Sequence, residues 1–73
     1  MSRTTYRVLP NRGDWILRRE QTLLASHTIK SELVKEGQRR ASNDQPSKLV
    51  VHKADGTIEY EYTYGDDPYP PQG

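Results

Sequence analysis

The sequence predicts an α+β fold in which a single small antiparallel β-sheet, with elements in the order β-β-β-α-β-β, carries one helix on one face. Three observations lead to this prediction. Short β-prone runs separated by turn formers fill the first third of the chain, an amphipathic pattern with a helical period follows, and two β-rich runs joined by Asp55-Gly56 come next. We expect residues 1–65 to form one domain and residues 66–73 to form a proline-rich tail.

The first third of the chain is predicted to be a three-stranded meander. Its β-prone runs are residues 6–9, 15–19 and 23–26. Turn formers at residues 10–14 and 20–22 separate them. Connections this short favour antiparallel neighbours.

A helical period begins near residue 28. Apolar or small residues recur at intervals that fit one face of a helix of about three turns: Ile29, Leu33, Val34, Gly37 and Ala41. Thr28 or Ser31 is the expected N-cap, because a hydroxyl oxygen accepts a bond from an unpaired amide of the first turn. Glycine destabilises a helix interior by about 1 kcal/mol relative to alanine. We therefore expect the backbone at Gly37 to approach the sheet closely.

The second half is predicted to contain a β-hairpin. Asp-Gly between β-rich runs favours a two-residue type I′ turn, which would set Ala54 opposite Thr57. Counting outward, His52 meets Glu59, and alternation puts one apolar set under the helix: Leu49, Val51, Ile58, Tyr60 and Tyr62.

Composition narrows the function classes. The chain has 73 residues, 32% apolar and 29% charged, with no cysteine. A domain of this size buries only about 60% of the surface that its unfolded form exposes. Without cysteine, neither a disulfide nor a thiolate metal site can compensate for the small core. The sequence contains no apolar run of membrane-spanning length, and its start lacks the apolar stretch of a signal peptide, so a cytoplasmic location is expected.

Several strings together resemble a known family. They are Trp15 after a glycine-containing turn, residues 49–53 leading to Asp55-Gly56, and an ending with Tyr64-Gly65, Asp67-Pro68, Pro70-Pro71 and Gly73. The chain resembles DUF2188, a bacterial family of small uncharacterised proteins. The resemblance implies a small α+β fold similar to a strand-strand-strand-helix-strand unit. It implies no activity.

The string Tyr64-Gly65-Asp66-Asp67 matches a motif that holds two metal ions in viral polymerases. Polymerase chemistry needs carboxylates from separate strands inside a much larger fold. We interpret the string as a polar turn instead. His27 and His52 are the only histidines, too few for a zinc site without cysteine. No catalytic residue, metal, cofactor or small-molecule substrate is expected, so the chain is predicted not to be an enzyme.

The basic residues are the feature with the most functional promise. Up to residue 42 there are nine Lys or Arg against four acids, and from residue 43 there are two against six, for a net charge of +1. Converging side chains could contact phosphates, with Trp15 or Tyr6 as a stacking surface. The candidates are Arg7, Arg18, Arg19, Lys30, Lys35, Arg39 and Arg40. Because Arg18 and Arg19 point to opposite faces of a strand, only one of them can join Arg7 on a solvent face. The alternative is a solvated charged face with helix pairs such as Glu32–Lys35 and Glu36–Arg40.

The proline-rich tail is the other candidate for contact with a partner. Its candidate contact residues are Tyr64, Asp67, Pro68, Tyr69, Pro70 and Pro71. A polyproline II segment can dock in an aromatic groove of a partner, or the tail can fold back on its own domain. The first hypothesis is thus a non-enzymatic module that binds a protein, or a second copy of itself, through a sheet edge or the tail. The alternatives are a small nucleic-acid-binding protein and an inhibitor of a host protein encoded by a phage or mobile element.

Overall fold

The computed structural model describes residues 3–65. Five strands and one helix follow each other in the predicted order. They are β1 (Thr4–Asn11), β2 (Asp14–Arg19), β3 (Thr22–His27), α1 (Lys30–Ser42), β4 (Ser47–His52) and β5 (Ile58–Tyr64). The α+β class and the packing of one helix on one sheet are therefore confirmed.

The sheet is mixed, so the prediction of a purely antiparallel sheet is wrong. The strand order is β3-β2-β1-β4-β5, and β4 lies parallel to β1 with Tyr6 opposite Leu49 and Val8 opposite Val51. The other three pairings are antiparallel. The cause is the helix, which carries the chain back across the sheet and lets β4 enter beside β1 in the same direction.

The sequence of β4 explains its position in the sheet. Leu49, Val50 and Val51 are consecutive apolar residues, and all three side chains are buried. Consecutive apolar residues are typical of a strand that is covered on both faces, as parallel strands usually are. Pairing β4 between β1 and β5 removes it from the sheet edge, where such a run would be exposed.

The helix packs its predicted apolar stripe on the sheet. Leu33, Val34, Gly37 and Ala41 are buried, whereas Ile29 is 53% exposed and lies just before the first turn. The expected close approach at Gly37 is confirmed, because a Cβ added there would lie 2.9 Å from Leu49 Cδ1. The predicted N-cap is wrong. Ile29 occupies the cap position with extended backbone, and no side chain caps the helix.

The type I′ turn occurs in a different hairpin from the predicted one. Between β1 and β2, Asn11 pairs with Asp14, and the two loop residues Arg12 and Gly13 have φ of 54° and 90°. Positive φ at both central positions is the mark of that turn. The twist of the flanking strands favours positive φ at both positions. Arg12 adopts it here, although residues other than glycine rarely do.

The turn at Asp55-Gly56 is longer than the predicted two-residue turn. The amide of Gly56 donates to the Lys53 carbonyl at 2.9 Å, and the amide of Lys53 donates to the Thr57 carbonyl at 2.7 Å. Only Gly56 has positive φ, at 94°, so the loop is a turn followed by a left-handed glycine. Asp55 shapes it from within, since its carboxylate accepts both the amide and the hydroxyl of Thr57.

The longer turn shifts the register, and a bulge restores it. His52 pairs with Ile58 rather than with Glu59, which moves Ile58 away from the helix side. Glu59 is the additional residue on β5, and from Val51–Tyr60 onward the pairing is the predicted one. Tyr60 and Tyr62 consequently lie on the helix side, as expected.

Candidate protein-binding surfaces

Most of the basic residues that were predicted to contact phosphates form ion pairs on the helix side of the sheet. Five of the seven form ion pairs with carboxylates: Arg19 with Asp44, Lys30 with Glu59, Lys35 with Glu32, and both Arg39 and Arg40 with Glu36. The predicted helix pairs Glu32–Lys35 and Glu36–Arg40 are therefore present. Hydrogen bonds from Arg40 and Arg39 lower the pKa of Glu36. These charges do not form an open basic surface.

Arg19 belongs to a three-residue network at one end of the helix. The Arg19 Nε and the Tyr6 hydroxyl donate to the same oxygen of Asp44, at 2.9 and 2.7 Å. These two hydrogen bonds, that of Tyr6 first, lower the pKa of Asp44. Burial, followed by the bond to Asp44, raises the pKa of the Tyr6 phenol. The network ties β1 and β2 to Asp44, the second residue after the helix.

Lys30 contacts both β2 and β5 from the start of the helix. Its ammonium lies 4.7 Å from the centre of the Trp15 ring and 2.5 Å from Glu59 Oε1. Trp15 and the buried Tyr6 both face the helix. Neither aromatic ring shares a face with Arg7 and Arg18, so the expected stacking surface is not beside these arginines.

The two remaining candidates, Arg7 and Arg18, lie on the opposite face of the sheet, which we call the open face. They are direct cross-strand partners between β1 and β2. Among residues 3–65, no carboxylate lies within ion-pair distance of either guanidinium. Alternation predicted that only one of Arg18 and Arg19 can join Arg7, and Arg18 is the one that does.

His52 holds Arg7 in place, a role that sequence reasoning missed. Its Nε2 lies 3.1 Å from Arg7 Nη1 and its Nδ1 lies 2.9 Å from the Gly56 carbonyl oxygen. A guanidinium can only donate and a carbonyl can only accept, so His52 accepts at Nε2 and donates from Nδ1. This is a neutral imidazole. The expected pair with Glu59 is wrong, because the bulge sends Glu59 to Lys30.

A groove runs between the helix and β5 on the helix side. It has a volume of about 480 Å³, and the residues that line it are Lys30, Ser31, Val34, Lys35, Gln38, Glu59, Tyr60 and Tyr62. Tyr60 is 39% exposed, and its ring packs edge-on against Tyr62 with 5.2 Å between ring centres. Partial burial raises the pKa of both Tyr60 and Tyr64.

The two edges of the sheet differ. In β3 the ladder shifts in mid-strand, so that Arg18 pairs with Leu23, Leu17 pairs with Ala25, and Leu24 has no ladder partner. A bulge in this position bends an edge and discourages pairing with another strand. In β5 the bulge lies at the beginning, and residues 60–64 form a regular ladder with β4.

The model of a family described as "Uncharacterized protein conserved in bacteria (DUF2188)" matches residues 6–64. This chain belongs to DUF2188. No curated protein and no solved structure matches the chain. The resemblance seen in the sequence is thereby confirmed.

Some expectations for this DUF2188 member fall outside the described residues. They are the contact residues of the tail, from Asp67 to Pro71, and the Asp66-Asp67 pair. Within residues 3–65, no group of three or more His, Asp or Glu side chains is arranged to hold a metal ion. His27 accepts the amide of Ile29 at the start of the helix. The helix in this part of the chain is too short and too polar to cross a membrane.

Proposed function

We propose that this protein is a non-enzymatic module that binds a protein partner by taking an extended segment as a sixth strand along β5. The observation that carries the proposal is the regular edge of β5 beside the tyrosine-lined groove. In this mode of recognition, main-chain hydrogen bonds supply affinity and pockets for alternate side chains supply specificity.

The order of strands supports this choice of edge. β5 is the last strand of the sheet, so one side of residues 60–64 pairs with no strand of the described chain. At the far end, Arg3 Nη1 donates to the carbonyls of both Tyr64 and Ser47, at 2.8 and 3.3 Å, so this contact lies where β5 meets β4 and not on the outer side of β5. The length of residues 60–64 suits a segment of about four residues, comparable to a short strand.

The groove supports the same edge. An added strand lies about 4.8 Å from β5, and every second side chain points to the helix side. Those side chains would enter the space beside Tyr60 and Tyr62, with the stem of Lys35 and the amide of Gln38 above them. Tyrosine is favoured in such contacts because it offers a large apolar surface and a polar tip with few rotatable bonds.

Selection of peptides tests the proposal. The full chain is immobilised and a library of random twelve-residue peptides displayed on phage is selected against it. We expect enriched peptides with alternating β-branched or aromatic residues. Their affinity for Tyr60→Lys should fall at least about tenfold. Leu23→Lys, a matched change of an exposed apolar residue on β3, should leave the affinity unchanged.

Synthesis of one enriched peptide with N-methyl groups at alternate amides checks the backbone mode. Methylation in one of the two alternating sets should abolish binding, because it removes the donors that face β5. Binding that tolerates both sets, or that depends on Leu23 rather than on Tyr60, would contradict strand addition at β5.

A further inference from the structure

The open face has a pattern of its own that strand addition at β5 does not use. Alternation and register place two rows of side chains across it. One row contains mainly apolar residues and comprises Ser26, Ile16, Leu9, His52 and Ile58; the next comprises Leu23, Arg18, Arg7, Val50 and Glu61. The rows are two residues apart along the strands, or about 6.6 Å. An apolar row thus lies beside a pair of arginines.

Sheet strands such as β4 usually have a second layer over them. Val50 points to the open face, yet only 1% of it is exposed. In residues 3–65 all of the helix lies on the other face. The helix therefore does not cover Val50, whose register partners on this face are Arg7 and Glu61. Strands that are apolar on both faces occur mostly in sheets with helices on both sides, so the open face resembles one that lacks its second helical layer.

Arg7 is held in one orientation by a hydrogen bond, but no carboxylate of residues 3–65 neutralises its charge. The acceptor that holds it is the neutral imidazole of His52, whose own orientation is fixed by the Gly56 carbonyl. A carboxylate in the same place would have cancelled the charge. A side chain that is already oriented loses less conformational entropy when a ligand binds.

Arg18 increases the positive charge at the same place. Like charges directly opposite each other on a sheet face destabilise it, by about 0.2–1 kcal/mol relative to a neutral pair. The helix side of the same protein shows that carboxylates are available for pairing, since all five of its candidate cations have one. The open-face arginines differ, because neither has a carboxylate partner within the described part of the chain.

The composition of the open face indicates a protein as the occupant. Arginine within apolar surroundings is typical of protein interfaces, and its planar fork binds carboxylates through two hydrogen bonds. Within the described strands, this face presents only two cations without an ion-pair partner, and no aromatic side chain shares the face for base stacking. A second copy would oppose arginine to arginine if the two faces met in register.

We infer that the open face docks an acidic amphipathic helix of a partner protein. Its apolar stripe would cover the row of Leu9, Ile16 and Ile58, and carboxylates on one flank would bind Arg7 and Arg18. The site is separate from the β5 edge. Leu23 and Ile58, which are exposed at the two ends of these rows, would become buried in the complex.

Two synthetic peptides test the inference. Both are eighteen-residue amphipathic helices with the same leucine stripe, one flanked by glutamate and the other by lysine. Fluorescence anisotropy with the full chain should show binding of the glutamate peptide and at least about tenfold weaker binding of the lysine peptide. Arg7→Gln with Arg18→Gln should weaken the glutamate peptide at least about tenfold, because arginines at the centre of an interface carry much of the binding energy.

Matched variants separate this site from the other surfaces. Arg39→Gln with Arg40→Gln removes the same charge from the helix side and should leave the affinity within about twofold, apart from long-range attraction that added salt screens. Tyr60→Lys should also leave it unchanged, so failure at the β5 edge is distinguishable from failure here. A thermal melt of each variant checks that it is folded.

Four results would overturn the inference. The first is no binding of the glutamate peptide up to millimolar concentration, and the second is equal binding of the two peptides. The third is tight binding of a DNA or RNA duplex that depends on Arg7 and Arg18, which would assign the site to phosphates. The fourth is a dimer, detected by light scattering, that Ile16→Asp dissociates, which would assign the face to a second copy.

Discussion

Arg18 and Arg19 are neighbours on β2 but face opposite sides of the sheet, and their surroundings differ. Arg19 donates to Asp44 beside the Tyr6 hydroxyl, in a network that joins the sheet to the end of the helix. Arg18 lies opposite Arg7 and has no carboxylate within ion-pair distance in residues 3–65. The difference indicates that charges on the helix side stabilise the fold, and it supports our proposal that the open-face arginines bind a partner.

The same contrast holds along β4. Val51 points toward the helix and Val50 toward the open face, and both are buried. Val51 is enclosed by the packed core. Val50 lies between Arg7 and Glu61 in the register of the sheet, and both of these have long side chains. The two sides should therefore respond differently to a change of volume or charge.

The largest effect is expected from added volume under the helix. Gly37→Val should destabilise the protein by about 3 kcal/mol, because the new Cβ would lie 2.9 Å from Leu49 Cδ1 and 3.2 Å from Leu17 Cδ1, both in the closed core. Lys35→Val on the exposed side of the helix is the control and should destabilise it by about 0.5 kcal/mol. Chemical denaturation gives both values. Equal losses would show that the helix does not approach the sheet as described.

A smaller effect is expected from removed volume in β4. Val51→Ala should destabilise the protein by about 2 kcal/mol, since its rigid surroundings cannot fill the cavity. Val50→Ala, the same change one residue away, should destabilise it by no more than about 1 kcal/mol, because flexible neighbours can close over the gap. Free energies of unfolding measured in urea give the two losses to be compared. A larger loss at Val50 would mean that the open face is packed as firmly as the core.

The Asp44 network should contribute stability that depends on pH. The folded-state pKa of Asp44 is below its ordinary value of 3.8, so its contribution is fully present above that pH and is lost as the pH falls through the folded value. Asp44→Asn should therefore melt below the wild type at pH 7, and the gap should shrink below about pH 4.

Asp14→Asn is the matched control, because Asp14 makes no ion pair with the described residues. Its melting temperature should follow that of the wild type across the range. A gap for Asp44→Asn that stays constant from pH 7 to pH 2 would contradict the assignment of the effect to the carboxylate.

Local patterns in the sequence were sufficient to predict every element and its order. Alternation also separated Arg18 from Arg19, and the position of Gly37 in the apolar stripe predicted the close helix contact. The parallel β1–β4 pairing was missed, because a helical connection allows the chain to return in either direction. A signal existed in residues 49–51, whose consecutive apolar character is typical of a central strand.

The candidate site was less accessible to sequence reasoning. The role of His52 depends on β1 lying beside β4 and on a turn one residue longer than the Asp-Gly pair suggested. That turn forms because Asp55 binds the amide and hydroxyl of Thr57 through its own side chain. The bulge at Glu59 then restores the register. The predicted pairing is therefore correct from Val51 onward, although the predicted turn type is wrong. Tertiary contacts of this kind do not follow from spacing alone.

The most direct test of the contrast between the two faces compares Arg18→Gln with Arg19→Gln in thermal melts at low salt. Arg19→Gln should lower the melting temperature, because Asp44 loses its cationic partner. Arg18→Gln should leave it unchanged or raise it slightly, because the change relieves repulsion from Arg7. A fall for Arg18→Gln equal to that for Arg19→Gln would show that the open-face arginines stabilise the fold and would contradict the account.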